Sequence, residues 1–187
     1  MMKAYLLDTN IASALWDTLD KDHPAALKFA TDAAAAGDLV YVSRVSLAEI
    51  EYGMKLYVST DAARRAKADA AMRIYKSIRE IGKPTTDPYS TIRAALFTKF
   101  GSRDAKGRVK EKRPEQLLDR TTSLALGIQE NDLWIAAIAV EYHMILVTED
   151  KMKRIQEVAP PPALTIVKWK AAAPATATPT TTPPTTP

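Results

Sequence analysis

Lys3-Ala4-Tyr5-Leu6-Leu7-Asp8-Thr9-Asn10 begins as a short apolar segment and runs straight into three residues favoured at helix starts. Lys3 to Leu7 reads as a buried strand, and the apolar stretch that continues to Trp16 reads as a helix capped by Asp8-Thr9-Asn10. Working outward, the spacing predicts a helix over Pro24 to Ala36 that stops at Gly37. A strand over Leu39 to Val42 follows, then a helix capped by Ser43 that carries Glu49. The Ala- and Arg-rich stretch Asp61 to Ile81 reads as a long helix ended by Gly82 and Pro84. Asp87-Pro88 restarts a helix, with Asp as cap and Pro at the first position. Gly101 to Arg113 lacks hydrophobic periodicity and reads as a basic loop insertion, and Pro114 to Leu126 reads as helical up to Gly127. Asn131-Asp132 open a helix running to Tyr142. Met144 to Val147 is strand-like, Asp150 to Val158 helical, and Leu164 to Val167 a last strand. Strands alternating with helices imply an α/β fold: a central, mainly parallel sheet with helices on both faces.

The composition bounds the function. The chain has 187 residues, enough for one domain with a buried core and short for two. Its 26 basic and 22 acidic side chains, with 47% hydrophobic residues, fit a soluble globular protein. No cysteine occurs, so a disulfide framework, a thiolate zinc site and a cysteine nucleophile are excluded. That usage fits a cytoplasmic location. Asp8 interrupts the first apolar segment before it reaches signal-peptide length. The longest uninterrupted apolar run, Leu133 to Val140, is far short of the roughly 20 residues a membrane span needs. Residues 171–187 contain only Ala, Pro and Thr and are expected to form a disordered tail behind a domain spanning residues 1–170.

Four acids stand at element ends. Ligands in a parallel α/β sheet gather outside the carboxyl ends of the strands. Asp8 follows the first strand, Asp150 lies three residues beyond Val147, Asp132 opens a helix, and Glu49 sits one turn into another. Converged on one pocket, such carboxylates repel and raise one another's pKa unless a cation joins them, and hard oxygen ligands suit Mg²⁺ or Mn²⁺. Each acid also has a plainer reading. Asp8, Asp132 and Asp150 are all good N-caps, worth about 1 kcal/mol each. Glu49 falls in line with Val45, Tyr52 and Leu56, an apolar stripe in which capping explains nothing. It requires a partner there, either a metal or a lysine or arginine.

Four blocks carry a resemblance. Leu6-Leu7-Asp8-Thr9-Asn10, Ser46-Leu47-Ala48-Glu49-Ile50-Glu51-Tyr52-Gly53, Asn131-Asp132-Leu133-Trp134-Ile135-Ala136-Ala137 and Leu146-Val147-Thr148-Glu149-Asp150 closely resemble the PIN-domain ribonucleases. Within that family the likeness is to the VapC toxins of type II toxin–antitoxin modules. It covers roughly residues 3 to 168 in the family's order. The resemblance implies a PIN-like α/β/α sandwich and a metal-dependent endoribonuclease, usually a homodimer, neutralised by a small cognate antitoxin. Its metal-binding, catalytic acids map onto Asp8, Glu49, Asp132 and Asp150, and its supporting or substrate-orienting positions onto Asn10 and Thr148. Glu130 offers a further carboxylate or a simple first-turn charge. The insertion at residues 101–113 and the tail are departures that bear on substrate choice and antitoxin contact.

The expected chemistry is attack of a metal-activated water on a phosphodiester, with Asp8 and Asp132 as principal ligands and Asp150 and Glu49 binding directly or through water. Neither His23 nor His143 is needed. The 2′-hydroxyl takes no part in such a reaction, so 5′-phosphate products are expected. Between Lys99 and Arg120 lie eight bases and four acids, a surplus of four that equals the formal charge of the whole chain. That patch reads as a surface for RNA phosphates, of the tRNA or rRNA class by family habit, or as a solvated loop. Lys151, Lys153 and Arg154 are further phosphate contacts to consider, and Arg64, Arg65, Lys67, Arg73, Lys76 and Arg79 read as the solvent face of a long helix.

Rival classes fit less well. A phosphotransfer receiver needs two adjacent early acids, and a haloacid-dehalogenase-type phosphatase needs Asp where Asn10 stands. No G-x-x-x-x-G-K-[ST] motif exists. A partner-binding corepressor that reaches DNA only through its antitoxin, and a DNA-cleaving nuclease of the same fold, remain as alternatives.

Overall fold

The computed structural model describes residues 2–56, 62, 66, 78–149 and 152–169. Five strands form one sheet in the order β3-β2-β1-β4-β5, and every pairing is parallel. They are β1 (Ala4–Leu7), β2 (Leu39–Ser43), β3 (Ile78–Arg79), β4 (Ile145–Val147) and β5 (Thr165–Val167). The helices are α1 (Thr9–Trp16), α2 (His23–Ala35), α3 (Arg44–Leu56), α4 (Thr86–Phe100), α5 (Glu130–Glu141) and the single turn α6 (Lys153–Gln156). The expected α/β sandwich with a parallel sheet is what the chain forms.

Alternation along β1 divides the core. Leu6 points into one apolar layer with Leu146, α4 and α5, and Leu7 into the other with Val42, Val147, α1, α2 and α3. Both leucines are fully buried. Strand order reverses at β1, which has β2 on one side and β4 on the other. Such a reversal opens a crevice at the carboxyl ends of the strands.

Helix α5 is the most deeply buried element. Leu133 and every residue from Ile135 to Ala139 are buried, so no polar face remains over that run. A helix apolar on all sides belongs in a core, and the early run Leu133 to Val140 is explained by that position. Ser43 caps α3 as expected, its Oγ accepting the Ser46 N–H at 2.9 Å.

Three expectations change. Pro114 to Leu126 is not a helix: only the 3₁₀ turn Pro114–Gln116 forms, and an antiparallel bridge then joins Leu118 to Ala125. The Asp119 carboxylate explains this, because it accepts the Thr121 and Thr122 backbone N–H groups and offers the chain a turn in place of a helix. The helix expected over Asp61 to Ile81 lies largely outside the described residues, but its last part is strand β3, paired with Val42 and Ser43. Arg79 is accordingly no solvent-face residue. Its guanidinium sits 4.3 Å from the Tyr41 ring centroid and 4.6 Å from that of Tyr142, a cation–π sandwich. Of the other bases assigned to that face, Arg64, Arg65, Lys67, Arg73 and Lys76 lie outside the described residues, as does the Ala/Pro/Thr tail.

The basic insertion is a folded turn. Arg103 and Val109 form an antiparallel bridge. Asp104 accepts the Lys106 and Arg108 N–H groups and the Arg108 Nε, each at 2.9 Å. Gly107, at φ 75°, supplies the left-handed residue the turn needs. At the insertion's start Gly101 ends α4, and a Cβ there would lie 2.4 Å from the Phe97 carbonyl oxygen. Only glycine fits that close approach.

Candidate active site

The parallel register assembles the site. Leu7 pairs with Val147, so Asp8 and Thr148 leave neighbouring strands at the same level. The Asp8 N–H donates to the Val147 carbonyl at 3.0 Å, extending the ladder by one rung. Thr148 Oγ1 then donates to Asp8 Oδ2 at 2.7 Å, and the Thr9 N–H donates to Asp8 Oδ1 at 2.7 Å. Asp8 is 3% exposed and Thr148 1%. A carboxylate buried to that degree stays charged only with hydrogen-bond donors or a cation beside it. Thr148, the position with an expected supporting or substrate-orienting role, thus lies against Asp8, and Asp8 is the N-cap of α1 as its plainer reading required.

Glu49 joins three elements. Its Oε2 accepts a hydrogen bond from the Thr9 hydroxyl, and its Oε1 accepts one from Asn131 Nδ2 at 2.8 Å. Thr9 is the neighbour of Asp8, and Asn131 the neighbour of Asp132. The glutamate therefore draws the starts of α1 and α5 together on α3, with Asp8 and Asp132 one residue to either side of its contacts. Asp132 Oδ2 accepts the Gln129 N–H at 2.7 Å, closing the first turn of α5. Among the described residues the partners of Glu49 are thus a hydroxyl and an amide, not a lysine or arginine. The apolar stripe expected around it is not buried: Tyr52 is 64% exposed and Leu56 66%. The buried face of α3 runs through Ser46 and Leu47 instead.

One expected position stands apart. Asn10 is exposed on the first turn of α1 and has no hydrogen bond to the other site residues among those described. Asp150 lies outside the described residues. Among the described residues no group of three or more Asp, Glu, His or Cys side chains forms a ready metal cluster. The donors at this crevice are all oxygens with hydroxyl and amide neighbours. That chemistry suits a hard divalent cation that keeps part of its water.

Glu130 is held in an ion pair with Arg93. Arg93 and the Tyr89 hydroxyl both donate to its carboxylate. The Tyr89 ring stacks on Trp134 with centroids 3.7 Å apart and planes 10° from parallel. Arg93 Nη2 donates to the Lys112 carbonyl at 2.8 Å, and the Glu130 N–H donates to Glu115 Oε1 at 2.9 Å. One guanidinium thus holds the insertion against the first turn of the helix that carries Asn131 and Asp132.

Burial, then the adjacent Glu130 carboxylate, pushes the Tyr89 phenol above its ordinary value, outweighing the opposite pull of Arg93. The neutral phenol is the form the fold favours. Its contribution to stability is present below the ordinary tyrosine pKa of about 10 and is lost as pH rises through the raised folded value. Thermal unfolding followed across the alkaline range should therefore fall less steeply for Tyr89→Phe than for the wild type. Equal slopes would contradict the assignment.

Sequence reasoning did not single out Thr9 or Asn131. Both lie inside the quoted blocks, beside Asp8 and Asp132, but nothing local says which side chain turns towards Glu49. His23 Nδ1 lies 3.0 Å from the Ala14 carbonyl, and His143 is exposed at φ 53° just beyond α5. Neither touches the site.

The parallel sheet reverses its strand order at β1 and carries Asp8 and Thr148 at its carboxyl edge, the arrangement of an α/β domain with its site at the switch point. The chain belongs to the PIN-domain family, whose profile matches residues 5–159. Members of that family are generally nucleases. No curated protein sequence matches the chain. Among solved structures, VapBC2 from Rickettsia felis, bound to a DNA fragment from its promoter, has a chain similar at TM-score 0.60 and 22% identity, covering 89% of this chain and 98% of that one. FitAB bound to an IR36 DNA fragment is similar at TM-score 0.55 and 16% identity, covering 88% and 94%. VapBC-1 from nontypeable Haemophilus influenzae is similar at TM-score 0.53 and 20% identity, covering 89% and 98%. At these identities the likeness is one of fold. Among the described residues no helix is long and apolar enough to cross a membrane.

Proposed function

We propose that the chain is a Mg²⁺- or Mn²⁺-dependent endoribonuclease acting in the cytoplasm as the toxin of a toxin–antitoxin pair. The observation that carries the reading is the Glu49 bridge between Thr9, the neighbour of Asp8, and Asn131, the neighbour of Asp132, beside the carboxyl end of β1. The four sequence blocks support the toxin assignment, and so does the fold likeness to chains of VapBC and FitAB complexes. A small antitoxin and a second copy of the chain are the expected partners, with DNA reached through the antitoxin.

Asp8 and Asp132 would hold the cation, with Asp150 and Glu49 contributing directly or through water. Bound there, a divalent ion supplies an activated water and neutralises charge on the leaving oxygen. The remaining work belongs to the chain. Thr148 and the Thr9 N–H fix the plane of the Asp8 carboxylate. The Gln129 N–H fixes one oxygen of Asp132. Glu49 sets the spacing between the two helix starts. Each restraint orders a charged group before substrate arrives, so little reorganisation remains at the moment of reaction.

The test is cleavage of total cellular RNA by the purified chain with Mg²⁺ or Mn²⁺, repeated with chelator. Cleavage that chelation abolishes is the expected result. An inert chain that still binds its antitoxin would move the assignment to the corepressor reading.

A further inference from the structure

We propose that the folded insertion at residues 101–113 is an RNA-binding arm that holds the substrate's phosphate backbone beside the site through Lys106, Lys110, Lys112 and Arg113. The inference rests on the ribonuclease reading above and adds to it a named surface.

Of the eight bases from Lys99 to Arg120, four have internal partners. Lys99 pairs with Glu157, and Arg108 with Asp104. Arg103 donates to the Gly107 carbonyl and Arg120 to that of Gly101. The four acids are engaged as well. Asp104 closes the turn, and Glu111 accepts from the Ser102 N–H and hydroxyl. Glu115 accepts the Glu130 N–H, and Asp119 pairs with Arg154. Arg154, a candidate phosphate contact from the sequence, is committed to this second pairing and to Glu157. Lys106, Lys110, Lys112 and Arg113 remain, all exposed and none in an ion pair with a described residue. The segment's acids are engaged as acceptors within the fold, while these four bases are left exposed.

Gln116 Oε1 accepts the Lys112 and Arg113 N–H groups at 2.8 and 3.0 Å, which fixes the backbone at the arm's base. Arg93 then grips the Lys112 carbonyl with one nitrogen and Glu130 with another. Two residues beyond Glu130 is Asp132. A basic surface that served solubility alone has no need of a guanidinium clamp to the site helix. A strand of RNA crossing the crevice is polyanionic on both sides of the bond to be cut, and the acidic crevice repels it. Cations held at the crevice edge offset that repulsion and set where the strand lies.

The test compares the full chain with the quadruple variant Lys106→Gln, Lys110→Gln, Lys112→Gln, Arg113→Gln, and with its charge-reversed Glu counterpart. The substituted side chains are exposed and their backbone contacts are kept, so circular dichroism should be unchanged. Binding of a labelled single-stranded oligoribonucleotide is followed by fluorescence anisotropy, in chelator, over a range of salt. Each phosphate contact on a single strand contributes about 0.7 to the log–log salt slope, so four contacts should lower the slope by about 3 and the affinity at physiological salt by about a hundredfold. In RNA cleavage the loss should fall on KM more than on kcat. Unchanged affinity and slope in both variants overturns the arm, and so does loss of binding to an acidic protein partner with RNA binding intact. A wild-type chain that binds RNA with this salt dependence but cuts none leaves the arm standing and removes the nuclease reading. Cleavage with an equal KM before and after substitution does the reverse.

Discussion

Asp8→Asn is expected to lower RNA cleavage by about a thousandfold and to leave the fold in place. Under the proposed function Asp8 has two jobs, helix cap and cation ligand. As an N-cap, Asn is about as good as Asp, so the start of α1 should hold. The Thr9 N–H at 2.7 Å can still be accepted by an amide oxygen. The Thr148 hydroxyl at 2.7 Å loses a charged acceptor but can rotate to receive from the new NH₂ group. The stability change should therefore stay within about 1 kcal/mol. As a cation ligand, Asn lacks the charge. Metal assistance supplies several kcal/mol of transition-state stabilisation, and losing about 4 kcal/mol of it is about a thousandfold in rate. Steady-state cleavage of a defined RNA, beside a thermal melt of the same preparation, checks both halves. A variant with an unchanged melt and near-wild-type cleavage would remove Asp8 from the chemistry.

The second large effect is one of stability. Leu133→Ala should destabilise the domain by about 2–5 kcal/mol, the range for truncating a fully buried leucine. Leu133 has no exposure and packs in the layer with Leu6, Leu96, Leu146 and Ile155. Its surroundings belong to the sheet and to two helices, so little can collapse into the cavity. It also directly follows Asp132. The site helix is anchored from within by Leu133 and from outside by Arg93, and loosening the inner anchor should weaken cleavage in the fraction that stays folded. Urea unfolding gives the first quantity. A change under 1 kcal/mol would mean that α5 is held mainly by its polar contacts.

Much of this was legible in the chain alone, for identifiable reasons. Apolar runs ending in capping residues located β1, α1, β2, α3, α5 and β4, because each carries its start signal and its burial pattern within a few residues. Thr148 was marked as a supporting residue only through the family resemblance; its hydrogen bond to Asp8 comes from the register of β1 with β4. Residues 114–126 were misread because Asp119, as a turn acceptor, outcompeted a helical pattern of moderate strength. Strand β3 has two residues, too few for any periodicity to show. The fit of Glu49 between Thr9 and Asn131 spans 40 and 82 positions of sequence and is a product of packing, which no local pattern encodes. The paired bases of the insertion were equally hidden: composition counts eight charges there but cannot say which four are already engaged.

The central claim of the proposed function is that Asp8, Glu49, Asp132 and Asp150 would hold a divalent cation for hydrolysis of an RNA phosphodiester. Its most direct test is the chemistry of the ends made in cellular RNA after the chain is induced, compared with Asp8→Asn. Ends bearing 5′-phosphate and 3′-hydroxyl, concentrated at defined positions and absent with the variant, are the predicted result. Ends bearing 2′,3′-cyclic phosphate, or the same ends made by Asp8→Asn, would contradict it.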